Sequence, residues 1–160
     1  MQASHIVTLV QPCHRNSGKR LRKTPKLYLL DTGLLCYLLR VAGAADLQVH
    51  AARGAVFETW ALAETLKHRI HQGLSADLYS WRDNHGLEMG LVFEHRGRLH
   101  SVECTSGTTY ADDWLLPARR WRHAVDGEAA PPVLMYGADL SHQRSDHWVL
   151  AWRDPGQRVN

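Results

Sequence analysis

Three short apolar runs follow one another between Leu78 and Thr105, parted only by turn residues, and no other feature of the sequence constrains the fold as much. Residues 78–82 stop before Asn84-His85-Gly86, three residues with turn chemistry. Residues 87–94 alternate, and Arg96-Gly97 leads straight into residues 99–105. Connections this short leave room only for hairpins, so three adjacent strands of one sheet are predicted. A long helix precedes them over residues 53–70, with Val56, Trp60, Ala63, Leu66 and Ile70 on one apolar stripe and Gly73 as its stop. Asp31-Thr32 caps a shorter helix over residues 33–40, ended by Gly43. After the triplet comes a helix from Asp112-Asp113 to about Val125, which Pro117 delays or kinks. Further strands are predicted at residues 6–10, 27–30, 133–136 and 148–152. Helices and strands in this order make an α/β fold, a mixed sheet flanked by helices.

A chain of 160 residues, 44% hydrophobic, suits one domain that buries about two thirds of its unfolded surface. Its six Trp are expected to fill much of the core, with Tyr79, Trp81, Trp148 and Trp152 buried rather than offered to bases. Cys13, Cys36 and Cys104 are odd in number and form no C-x-x-C pair, which excludes a visible disulfide framework or zinc ribbon and suits a cytoplasmic location. No apolar run approaches the roughly 20 residues of a membrane span. Gly18-Lys19 is not a phosphate loop, because Cys13 stands where the first glycine is required and Arg20 where Ser or Thr is required. No ATP site is therefore expected. Glu64, His68 and His71 share a helix face but lack a fourth ligand, so a solvated face is expected there; His142 and His147 fall in a polar loop.

Charge is uneven. Residues 1–80 hold ten Lys/Arg against five Asp/Glu, and residues 81–160 hold nine against eleven. All four lysines lie in the first half, none beyond Lys67. Arg15, Lys19, Arg20, Arg22, Lys23 and Lys26 form a basic run able to contact phosphates, or else a solvated linker. In the strand triplet, alternation puts Glu88, Gly90 and Val92 on one face of their strand, and Leu99, Ser101, Glu103 and Thr105 on one face of the next. Gly90, Glu103 and Thr105 are thus expected to be neighbours, close to the helix carrying Glu58, with empty space beside Gly90.

Several blocks together resemble a known family. Lys23-Thr24-Pro25-Lys26 followed by Leu27 to Leu34, then Gly54-Ala55-Val56-Phe57-Glu58, Tyr79-Ser80-Trp81-Arg82, Glu88-Met89-Gly90-Leu91-Val92 and Val102-Glu103-Cys104-Thr105 are similar, in order, to the blocks of a domain-of-unknown-function family found at the C-terminal end of bacterial and archaeal AAA-type ATPases. The resemblance covers about residues 6–150. It implies a PD-(D/E)XK nuclease-like (restriction-endonuclease-like) fold, in which an Asp and a Glu on successive strands hold magnesium, a lysine two positions after the Glu assists, and a helix Glu completes the site. Here Glu58 and Glu103 retain their carboxylates, whereas Gly90 and Thr105 stand at the positions of the Asp and the Lys.

The expectation is therefore a degenerate, non-catalytic nuclease-fold module of an AAA-type ATPase-like protein, with no cofactor, binding nucleic acid or protein, the ATPase itself included, and no membrane. Alternatives are a metal-dependent DNA nuclease with a rearranged magnesium site, and a truncated gene product, since Met1 falls inside what resembles the family's inter-domain linker. The expected organisation is a linker-like basic segment over residues 1–26, the nuclease-like domain over 27–153 and a tail over 154–160.

Overall fold

The computed structural model describes residues 6–13, 24–82, 86–125 and 129–155. It is a mixed α/β fold: one eight-stranded sheet flanked by helices. The strands are β1 (Val7–Pro12), β2 (Lys26–Leu29), β3 (Tyr79–Arg82), β4 (Glu88–His95), β5 (Arg98–Thr105), β6 (Val133–Tyr136), β7 (His142–Gln143) and β8 (Trp148–Ala151), in the order β2-β1-β3-β4-β5-β6-β8-β7. The helices are α1 (Thr32–Leu38), α2 (Ala44–Val49), α3 (Arg53–His71) and α4 (Leu116–Ala124).

The predicted triplet forms the centre of the sheet, with β3, β4 and β5 antiparallel neighbours. Arg96 and Gly97 both take positive φ, 50° and 75°, the conformation a two-residue hairpin loop requires if its twist is to match the strands. Beyond β5 the pairing changes character: β5, β6 and β8 run parallel, so their C-terminal ends open on the same side.

One irregularity matters for the site. The β3–β4 register shifts between Tyr79↔Val92 and Trp81↔Met89, so Gly90 and Leu91 together oppose Ser80. This bulge breaks the alternation expected for β4. Met89 and Val92 join the core cluster with Trp81, Leu134 and α4's Trp121, while Leu91 and Phe93 join the cluster under α3 with Leu62, Val102 and Met135. Val92 therefore does not share a face with Gly90 as strict alternation would have it. An extra residue in one strand shifts the side-chain phase, and bulges often do so beside functional sites.

Helix α3 lies along the second cluster through Ala61 and Leu62, with Phe57, Trp60 and Leu66 partly buried against it. The stripe read from the sequence is displaced, since Ile70 is exposed and Thr65 and Arg69 are buried instead. Arg69 tolerates burial because its guanidinium donates to the carbonyls of Ser75 (2.8 Å) and Glu94 (3.1 Å) and lies over the Phe93 ring. Asp31 caps α1, accepting from the Leu34 N–H at 2.9 Å. Gly43 starts α2, a helix the sequence pattern did not announce, instead of ending α1. A 3-10 turn over Asp112–Leu115 precedes α4, so Pro117 falls in the first turn of a late-starting helix, where its missing N–H costs nothing. Trp81 and Trp121 are fully buried, and the other Trp positions named above are partly so. His142 lies in β7, and His147 is buried between the Tyr110 hydroxyl (3.0 Å) and Asp146 (2.7 Å); neither is a loose loop residue.

Candidate functional site

Glu58, Gly90 and Glu103 line one small cavity of about 140 Å³, together with Lys26, Glu88, Val102 and Cys104. The cavity lies just past Leu91↔Val102, the last pair of the β4–β5 ladder. That position lets Glu103, whose β6 partner Leu134 belongs to the α4-side cluster, share a space with Glu58 of the opposing helix α3.

Glu58 stands in the second turn of α3 and accepts a 2.5 Å hydrogen bond from the Tyr28 hydroxyl of β2. Burial and then the Glu58 charge push the Tyr28 phenol far above its usual range, so it stays a donor. The Lys26 ammonium lies 3.5 Å from Glu58 and pairs more closely with Glu88. Arg82 also approaches Glu88, at 3.6 Å. Glu103 has no such support. Its Oε1 is buried without a hydrogen-bond partner among the described residues. Burial first, then the Glu58 charge, pushes its carboxyl up to about 8, with Lys26 opposing and Glu88 adding to the shift. The same burial and carboxylates raise the Cys104 thiol, which makes it a poor nucleophile.

The space in front of Gly90 is not empty. A Cβ built there would lie 2.8 Å from Glu58 Oε1, so the Glu58 carboxylate fills the position an Asp would need. Thr105 is not part of the cavity lining, and its hydroxyl accepts from the Gly107 N–H at 3.3 Å. The sequence brought together Glu58, Gly90 and Glu103 but missed Tyr28, Glu88 and the role of Lys26. In sequence Lys26 belongs to the basic run, yet it is the first residue of a strand and shares the cavity with three carboxylates. Arg15, Lys19, Arg20, Arg22 and Lys23 lie outside the described residues.

The residues present do not fit a magnesium ion well. A hard dication needs several ionised oxygen ligands free to turn toward it. Here Gly90 offers none, Glu58 and Glu88 are engaged by Lys26, and Glu103 keeps its proton near neutral pH. Among the described residues no group of three His, Cys, Asp or Glu side chains is arranged to hold a metal. Nor does any described helix have the length and apolarity to cross a membrane.

The chain belongs to the family described as a domain of unknown function, DUF4143, which it matches over residues 53–154. Residues 1–45 match a second domain of unknown function, DUF8612. It is 34% identical over 150 residues to Uncharacterized protein Rv2008c of Mycobacterium tuberculosis and, equally, to Uncharacterized protein Mb2031c of Mycobacterium bovis. The matches cover 93% of this chain and 32% of each relative, so the chain spans about a third of the length of the curated relatives it matches. No solved structure matches it significantly.

Proposed function

We propose that this domain is a non-catalytic, PD-(D/E)XK nuclease-like module of an AAA-type ATPase-like protein, serving as a nucleic-acid or protein interaction domain. The observation that carries the reading is the internal cation: Lys26 sits among Glu58, Glu88 and Glu103, where a metal-dependent nuclease would need a divalent ion. Gly90 supports it, since the carboxylate that would outcompete the lysine is missing. What remains is a neutralised pocket that stiffens the sheet centre by tying β2 and β4 to α3. Binding would then fall to the rest of the basic run, Arg15, Lys19, Arg20, Arg22 and Lys23, supplying phosphate contacts whose affinity falls steeply with salt.

Manganese calorimetry tests the reading. The protein as it stands is expected to bind manganese negligibly and to leave DNA and RNA uncut. Lys26→Met frees two carboxylates, and Gly90→Asp adds another once the Glu58 side chain swings out of the place it now fills; each change is expected to bring manganese binding into the measurable range. A second reading, a metal-dependent nuclease with a rearranged site, draws on Glu88, a third carboxylate in the cavity beside a lysine. Tight manganese binding by the unaltered protein, abolished by Glu103→Ala and accompanied by cleavage, would establish that reading and overturn ours.

A further inference from the structure

Away from the carboxylate cavity, a larger cleft of about 530 Å³ opens at the C-terminal ends of the parallel strands. Its floor is Ser106, Gly137 and Trp152, each the residue immediately after β5, β6 and β8. Crevices outside the carboxyl ends of parallel strands are where open α/β sheets commonly take ligands. The floor is tightly built: a Cβ on Gly137 would lie 2.6 Å from the Ser106 carbonyl oxygen, so only glycine lets the two chains leave the sheet this close together. Helices α1 and α2 form the roof, and Val56, Phe57 and Trp60 of α3 form one wall.

Two features define what such a cleft would take. The first is its aromatic lining. Phe57 and Trp60 have ring centroids 5.4 Å apart, and Trp60 meets Trp152 edge-on at 6.0 Å. Trp152 is in turn held by its indole N–H to Asp139 at 3.1 Å. Rings packed on one another at these spacings make a continuous apolar wall on which a flat guest can lie. The second is charge. Arg53 is the only charged side chain among the described residues that line the cleft. Its guanidinium donates to the carbonyls of Ser106 (2.5 Å) and Gln48 (3.4 Å), and no carboxylate of the described residues pairs with it. Two carbonyls position the fork but leave its charge uncompensated. Protein interiors leave few voids larger than a water molecule, whereas this volume lies within the range of about 300–1,000 Å³ usual for small-molecule sites.

We infer that this cleft is a binding site for a small planar aromatic carboxylate, its ring against the wall of Phe57, Trp60 and Trp152 and its carboxylate on Arg53. The site does not depend on how the carboxylate cavity is read. Calorimetric titration of the full chain with naphthoate, and with naphthalenemethanol as the uncharged counterpart, tests it. Naphthoate is expected to saturate at one site and to bind about tenfold or more tightly than the alcohol, the increment of a charge-assisted hydrogen bond. Arg53→Gln should lower naphthoate to the level of the alcohol and leave the alcohol unchanged. Because that variant also loses the bond to Ser106, a second readout uses the unaltered chain. Cys36 lines the cleft and is the cysteine within a guest's reach. Naphthoate should slow its alkylation by iodoacetamide, and the alcohol at equal concentration should not. Equal affinity for the two compounds, no saturation by naphthoate at millimolar concentration, or unchanged Cys36 alkylation at saturating naphthoate would each overturn the inference.

Discussion

Replacing Glu103 by glutamine isolates the strain stored in the carboxylate cavity. The folded chain keeps the Glu103 proton until pH approaches 8, whereas a glutamate in the unfolded chain loses it near 4.5. Between those values the folded state binds more protons, so stability falls as pH rises through the window and is fully present only below it. The displacement from 4.5 to about 8, at about 1.4 kcal/mol per unit, sets a ceiling on the order of 5 kcal/mol. Water entering the cavity and movement of Lys26 toward the ionised carboxylate reduce this, and about 2–3 kcal/mol is the expected size. Glutamine has nearly the same shape, cannot ionise, and can donate to Glu58 where Glu103 Oε1 now has no partner. Glu103→Gln should therefore unfold at nearly the same urea concentration as the parent at about pH 4, at a higher one at about pH 6, and with its full advantage at about pH 9. Groups titrating elsewhere cancel in the difference. An advantage of equal size at all three pH values, or one largest at the acid end, would refute the assignment of the cost to carboxylate ionisation.

Two further substitutions probe the frame around the sites. Gly137→Ala forces a methyl to 2.6 Å from backbone at Ser106, which cannot yield as a side chain would, and a loss of about 1–3 kcal/mol is expected in urea unfolding, together with a changed cleft floor. Arg69→Leu removes the bonds to the carbonyls of Ser75 and Glu94, both exposed residues that water can reach, so a loss of about 1–3 kcal/mol is expected; a neutral result would mean that packing over Phe93 is all the arginine contributes.

What the sequence disclosed and what it withheld follow from the range of the forces involved. Hairpins and caps are local: Arg96-Gly97 and Asp31 act within four residues, and the structure has β4–β5 and α1 where those signals put them. Binary alternation is local too, but it carries phase, and one extra residue destroys the phase downstream. The bulge at Gly90-Leu91 did this to β4, moving Val92 to the other face. Helix α2 had no such signal, since a six-residue helix with no buried residue leaves no periodic trace.

The role of Lys26 shows the deeper limit. In sequence it closes a run of like charges; in space it stands 3.5 Å from Glu58, whose tyrosine partner Tyr28 shares its strand. Nothing within ten residues of Lys26 offers it more than one carboxylate, so no local rule could assign it to the cavity. The assignment comes from topology, since β2 pairs antiparallel to β1 and β1 runs parallel to β3, bringing the start of β2 toward β4. Thr105 lies outside the cavity lining, so the positive charge beside the carboxylates comes from Lys26 on β2 and not from the strand that carries Glu103. A sequence shows which residues stand beside one another along a strand, but which charges meet across the sheet depends on strand order. In this chain strand order brings one lysine to the carboxylates of Glu58 and Glu88.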